Sequence, residues 1–195
     1  MKKKIIVAIT GATGSIYGIR LLEILNTLGD VETHLILSAT GALTAHAETN
    51  WDKQAILKLA DVVHNPKDLG ATLSSGSFIT HGMIIVPCSM KTIGSIASGV
   101  TDNLVARAAD VILKERRRLV VIARETPLNL VHLRNMTTLT EMGAIIAPPV
   151  PSYYTRPKTI DDIVNQTVGR MLDLLDIPAD KLIQRWAGIK DASTN

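Results

Sequence analysis

The sequence predicts an α/β protein of the Rossmann-like, flavodoxin type: one parallel sheet with helices on both faces, in a single domain. Three observations predict it. Short, almost wholly apolar runs alternate with stretches whose apolar residues recur at helical spacing. Strands joined by helices need crossover connections, which make neighbouring strands parallel and bury them on both faces. The length of 195 residues suits one domain, and no linker, repeat or low-complexity stretch divides it. The domain is expected over 1–188, with a loose tail over 189–195.

The elements follow in order. Ile5–Ile9 is continuously apolar and reads as a strand buried on both faces. Gly11–Ser15 is a turn, and Ile16–Leu28 carries Ile16, Ile19, Leu22 and Leu25 at helical spacing before Gly29-Asp30 stops it. Val31–Leu37 is the next strand, ending at Ser38. Ala42–Glu48 and Asp52–Ala60 read as short helices, and His64–Thr80, with Ser74-Ser75-Gly76-Ser77, as the least regular stretch. Met83–Pro87 is a strand and Met90–Ser98 a short helix. Asp102–Arg117 is a longer helix, capped by Thr101 or Asp102 and basic at its end, as the helix dipole favours. Leu119–Ala123 and Ala144–Ala147 are strands on either side of a helix over Leu128–Met142. A proline-rich run from Pro148 to Pro151 precedes a last amphipathic helix over Asp161–Leu175.

Composition narrows the function classes. Hydrophobic residues make up 46% and charged residues 20%, which excludes intrinsic disorder. A chain this apolar is expected to bury some of its surface between subunits. Lys and Arg number 21 against 18 Asp and Glu, a net charge of +3, but aromatics are only 3%, so a base-stacking surface for nucleic acid is not expected. The single cysteine, Cys88, excludes a disulfide framework and any multi-cysteine zinc site, and it reads as a small core thiol. The five histidines show no metal-ligand spacing. With no signal peptide and no apolar run long enough for a membrane span, the expectation is a soluble cytoplasmic protein without metal.

In an open parallel sheet, ligands bind outside the carboxyl ends of the strands. The turns at those ends are rich in hydroxyls and charges. Gly11-Ala12-Thr13-Gly14-Ser15 offers backbone N–H groups at a helix start, where a phosphate can sit. The glycine spacing is not that of the dinucleotide fingerprint. The second strand ends in Ser38 rather than the acid that would bind a ribose. Ser89-Met90-Lys91-Thr92 repeats the pattern after the third strand expected in the chain; Ser89 alone also reads as an ordinary helix cap. Arg107 and Lys114 lie seven apart and share a helix face, open to solvent or to an anion. Arg124-Glu125 follows a buried strand, where such a pair can hold an anion and move a proton. Glu48 lies at a helix end before Trp51, and Tyr154 and Trp186 stand out because aromatics are scarce.

These pieces, in this order over nearly the whole chain, resemble the UbiX-type flavin prenyltransferases, including members named phenolic-acid decarboxylase subunits. The matching motifs are Thr10-Gly-Ala-Thr-Gly14, Ser74-Ser-Gly-Ser-Phe78, Pro87-Cys-Ser-Met-Lys-Thr92, Arg124-Glu-Thr-Pro-Leu128, Tyr153-Tyr154 with Arg156-Pro157, and Arg185-Trp186. The resemblance implies reduced FMN as prenyl acceptor and dimethylallyl phosphate as donor. It also implies a homododecamer with sites between subunits, and a product that serves UbiD-type decarboxylases.

By matching position, the resemblance implies FMN contacts at Gly11, Ala12, Thr13, Ser38, Ser89, Met90, Lys91, Thr92, Arg107 and Arg124. It implies a donor-phosphate cluster of Lys114, Arg124, Glu125, Tyr154 and Arg170. Glu48 and Glu125 are the implied proton carriers, and Trp186 the aromatic wall; Thr13, Lys114 and Trp186 join them as implied catalytic residues. Many members have Ser where this chain has Thr13, which keeps the hydroxyl and adds a methyl. Two alternatives share the flavin site: an FMN-dependent aromatic-acid decarboxylase, and a flavin carrier without catalysis.

Overall fold

The computed structural model describes residues 2–180 and 182–188. The tail expected from residue 189 lies outside them. Along the chain run β1 (Lys3–Ile9), α1 (Ser15–Asn26), β2 (Val31–Leu37), α2 (Ala39–Glu48), α3 (Lys53–Leu57), β3 (Val62–His64), β4 (Gly82–Cys88), α4 (Met90–Ala97), α5 (Leu104–Lys114), β5 (Arg118–Ala123), α6 (Leu130–Glu141), β6 (Ile145–Ile146) and α7 (Ile160–Leu174).

The six strands form one sheet in the order β3-β2-β1-β4-β5-β6, with every pairing parallel. This is the doubly wound order with its reversal between β1 and β4. Without the three-residue β3, the remaining strands run in the flavodoxin order. The expected fold class is therefore found.

Alternation along the strands divides the core in two. Ile5, Val7, Ile9, Ile84, Val86, Val120 and Ile122 pack on one face with α1, α2, α3 and α7. Ile6, Ala8, Met83, Ile85, Leu119 and Val121 pack on the other with α4, α5 and α6. Each fully buried Ile or Leu here contributes roughly 1.5–3 kcal/mol. Crossover helices start at the carboxyl edge of the sheet and end at its amino edge, where the next strand begins.

Three expectations need correction. The edge strand β3 is not among the expected elements, because three residues are too few to show a period. It is held by side chains instead: the Asp61 carboxylate accepts from the Thr33 N–H and hydroxyl, each at 2.8 Å. Helix α5 is capped by Asn103, whose Oδ1 accepts from Ala106 N–H at 3.1 Å, rather than by Thr101 or Asp102. The five histidines, which the sequence offers as polar surface or capping groups, are not all of that kind. His132 does cap α6, but His34 is buried, with its ring nitrogens 2.9 Å from Glu32 and 3.0 Å from His64.

Along α6, Leu130, Val131 and Leu133 face outward, about half exposed or more. No helix among the described residues is long and apolar enough to cross a membrane.

Candidate active site

The reversal of strand order opens a cleft of about 280 Å³ at the carboxyl ends of β1, β2 and β4. Gly11, Ser38, Ser89, Lys91 and Thr92 line it, as the sequence predicts. Thr10, Thr40, Lys67 and Ser95 line it too, and sequence reasoning missed their role. Lys67 belongs to the irregular stretch after β3, which carries no pattern that would bring it here. Asp102 is the one carboxylate among the described lining residues.

The floor of the cleft is tied by Thr10. Its hydroxyl donates to Pro87 O at 2.9 Å and accepts from Ser89 N–H at 2.9 Å, joining the ends of β1 and β4. Ser38 and Ser89 are helix caps: Ser38 Oγ accepts from Gly41 N–H at 2.9 Å, and Ser89 Oγ from Thr92 N–H at 3.4 Å. Capping aims both hydroxyls at the starts of α2 and α4, where backbone N–H groups favour an anion. Ala12, in the turn between β1 and α1, and Met90, the first residue of α4, do not line the cleft.

Beside the cleft, Gly14 caps α1 with φ +96°, a conformation that glycine adopts without strain. Its N–H and that of Ser15 donate to Glu48 Oε2 at 2.9 and 3.1 Å. Thus a carboxylate from the end of α2 occupies the positive end of α1. Burial alone would push the Glu48 carboxyl up. The nearby Thr13 hydroxyl and the Ser15 and Gly14 amides that donate to it outweigh that, leaving it below its usual value. Arg124 lies within electrostatic reach of the same turn: Tyr17 on α1 is raised by burial, and the Arg124 charge opposes the rise. Glu125 follows it, exposed, accepting from Thr126 N–H at 3.0 Å.

The lowered Glu48, together with Asp61 and Asp173, sets a pH dependence. A carboxyl that is more acidic in the folded chain stabilises it at pH values above the unfolded pKa. That contribution is lost as pH falls through the folded value. The melting temperature is expected to hold from neutrality to about pH 5 and to drop steeply below about pH 4. Thermal melts followed by circular dichroism check this; the drop should be shallower in Glu48→Gln. Equal slopes would refute the role of Glu48.

A second group gathers on the α7 side. Arg170 lines a cleft of about 240 Å³ with Ile122, Ala147 and Pro148, at the ends of β5 and β6. The rings of Tyr154 and Trp186 meet edge to face, 5.5 Å between centroids. The other two predicted cations lie elsewhere. Arg107 and Lys114 are on α5, which packs on the opposite face of the sheet. Arg107 donates to Ser74 O at 3.0 Å and pairs with Asp110 at 2.7 Å. Lys114 pairs with Glu115 against Gly76, at the amino edge of the sheet. Within one chain, Lys114 and Arg170 therefore do not come together.

Cys88 is fully buried, which pushes its thiol well above the usual value, so it is a core residue and no nucleophile. No group of three or more His, Cys, Asp or Glu among the described residues is placed to hold a metal ion.

Residues 1–172 match the family model described as Flavoprotein. The flavin prenyltransferase UbiX of Escherichia coli (strain K12) is 52% identical over 188 residues, covering 95% of this chain and 99% of that one. A crystal structure of AnUbiX (PadA1) in complex with FMN and dimethylallyl pyrophosphate superposes with a TM-score of 0.94 at 50% identity, over 97% of this chain and 100% of that one. A dodecameric FMN-dependent UbiX-like decarboxylase from Escherichia coli O157:H7 gives a TM-score of 0.92 at 48% identity, over 95% and 100% of the two chains.

Proposed function

The chain belongs to the flavoprotein family and, within it, to the UbiX-type flavin prenyltransferases, and from that premise we propose that it transfers a dimethylallyl group from dimethylallyl phosphate to N5 and C6 of reduced FMN. The observation that carries the reading is the hydroxyl-lined cleft at the strand-order reversal, in a chain half identical to one crystallised with FMN and dimethylallyl pyrophosphate.

The residues present fit a flavin phosphate. The cleft joins capping hydroxyls to helix starts, and its lysines, Lys67 and Lys91, take part in none of the ion pairs among the described residues. Gly11, Ala12, Ser38, Ser89, Met90, Lys91 and Thr92 would hold the FMN, with Thr13 and Arg124 around it and Arg107, like Lys114, reaching it from a neighbouring subunit. When bound, reduced FMN supplies the nucleophilic ring atoms.

The chain's own groups handle the leaving phosphate and the protons. As the allylic C–O bond breaks, its electron pair passes to phosphate oxygen. Lys114, Arg124 and Arg170 neutralise that charge, and the Tyr154 hydroxyl donates to it. Glu125 carries a proton to the departing phosphate. The Trp186 face shelters the allylic fragment from water. Glu48, kept ionised by the α1 amides, accepts a proton relayed through Thr13.

Placing Lys114 beside Arg170 requires a second subunit, since the two sit on opposite faces of one sheet. A homododecamer, the state of the Escherichia coli O157:H7 neighbour, supplies it. The outward Leu130, Val131 and Leu133 suit such an interface. A UbiD-type decarboxylase is the proposed recipient of the product.

Anaerobic incubation with reduced FMN and dimethylallyl phosphate, followed by mass spectrometry of the released flavin, tests the reading. The flavin is expected to gain one isoprene unit. An unchanged mass with release of carbon dioxide from an aromatic acid would favour the decarboxylase instead; an unchanged mass with neither reaction would favour a carrier.

A further inference from the structure

Gln166, Arg170 and Asp173 follow one another along one side of α7 at helical spacing. Gln166 is buried and fully hydrogen-bonded. Its Nε2 donates to the Tyr154 hydroxyl at 3.2 Å and to Gln184 O at 3.1 Å, and its Oε1 accepts from Gln184 N–H at 2.9 Å. Asp173 pairs with Arg170 at 2.6 Å and with Arg185 at 3.0 Å. Burial alone would raise the Asp173 carboxyl, but the two guanidiniums outweigh it and hold the carboxyl below its usual value. Between these two points Ile183 seats on α7 at Gly169, where any Cβ would lie 2.0 Å from Ile183 Cγ2. The segment 182–188, which carries Arg185 and Trp186, is thus fastened to α7 through Gln166 and Asp173.

We propose that Gln166 and Asp173 are positioning residues for the prenyl donor: Gln166 aims the Tyr154 hydroxyl, and Asp173 holds Arg170 in place and locks the segment that carries Trp186 against Tyr154. The inference rests on the reading of Tyr154, Arg170 and Trp186 as donor-binding residues.

The chemistry of the phenol explains why an amide stands at position 166. A tyrosine hydroxyl has one proton to give and lone pairs that accept. The Gln166 N–H occupies a lone pair and polarises the O–H, which strengthens it as a donor. Here that proton goes to Gln184 O at 3.2 Å, longer than the usual O–H···O bond. A phosphate oxygen is the stronger acceptor and takes it. Glutamate at 166 has the same shape but no N–H to give, so it draws the Tyr154 proton to itself. Methionine fills the volume and makes none of the three bonds.

Gln166→Met, Gln166→Glu and Asp173→Asn test the proposal in the full-length oligomer. A Trp51→Phe background leaves Trp186 as the sole tryptophan of the two. The readouts are the KM for dimethylallyl phosphate, the affinity for FMN, and the acrylamide quenching and anisotropy of Trp186.

Gln166→Met is expected to raise KM about tenfold or more and to loosen Trp186, with FMN affinity within about twofold of the parent. Gln166→Glu should raise KM similarly while loosening Trp186 less, because Gln184 N–H keeps its acceptor. Asp173→Asn should loosen Trp186 and raise KM, and it carries the test if neither position-166 variant folds. Parental KM and quenching in a folded Gln166→Met protein would overturn the proposal, as would an equal loss of FMN and donor affinity. If the parent transfers no prenyl group, the functional reading falls, while the Trp186 measurements still decide whether the segment is held as described.

Discussion

Mixing subunits that carry Lys114→Met with subunits that carry Arg170→Met is expected to restore prenyl transfer that neither variant shows alone. Each single variant should lose a hundredfold or more, about what removal of one group stabilising transition-state charge costs. The recovery follows from the sheet. Lys114 ends α5 at the amino edge of one face, while Arg170 lies on α7 over the other face, near the carboxyl ends of β5 and β6. If one subunit lends its Lys114 to a neighbour's Arg170, random co-assembly leaves about one site in four with both native residues. Recovered activity near a quarter of the parent, measured after unfolding and refolding the mixture, is the expected result. No recovery from variants that each bind FMN and assemble normally would place both residues in one subunit's site, or neither in any.

Gly18→Ala is expected to destabilise the chain strongly. A Cβ at position 18 would lie 2.4 Å from Val86 O, and close to Ile9 Cγ1 and Cδ1 at 3.0 and 3.1 Å. Val86 is buried within β4 at the centre of the sheet, so the carbonyl cannot retreat, and α1 must lift off instead. Overpacking of this kind costs about 1–3 kcal/mol, or more where backbone meets backbone. In a chain of this size that lowers the melting temperature by roughly 2–12 °C. FMN affinity should fall as well, since lifting α1 separates the Gly14 and Ser15 amides from Glu48. Gly29→Ala is the control: its Cβ would meet nothing within 4 Å. Equal melts for the two variants would refute this account of how α1 sits.

Much of the fold and part of the site are legible in the amino-acid sequence alone. The buried strands announce themselves as unbroken apolar runs because both their faces are covered. The caps Ser38 and Ser89 are also hydroxyls that line the cleft, so reading Ser89 as either a cap or a contact sets apart two roles that one residue fills. The strand β3 is hidden because side-chain bonds from Asp61 to Thr33, rather than a hydrophobic period, hold its start. Lys67 reaches the cleft from a segment with no periodicity at all. Gln166 reads as an ordinary polar residue on an amphipathic helix; its importance comes from three bonds to partners distant in sequence. The separation of Lys114 from Arg170 does have a sequence signal. A crossover helix ends where the following strand starts, so a lysine just before β5 belongs to the amino edge.

The single hydroxyl of Thr10, bridging the carbonyl of Pro87 and the amide of Ser89, has a consequence for how ligands are chosen. The two loops it joins are fixed relative to each other before anything arrives, so a bound anion need not organise them. Preorganisation of this kind lowers the entropic cost of capture and sharpens discrimination between head groups of different size. Shortening or lengthening the ligand's phosphate end should therefore be felt mainly as faster escape rather than slower entry.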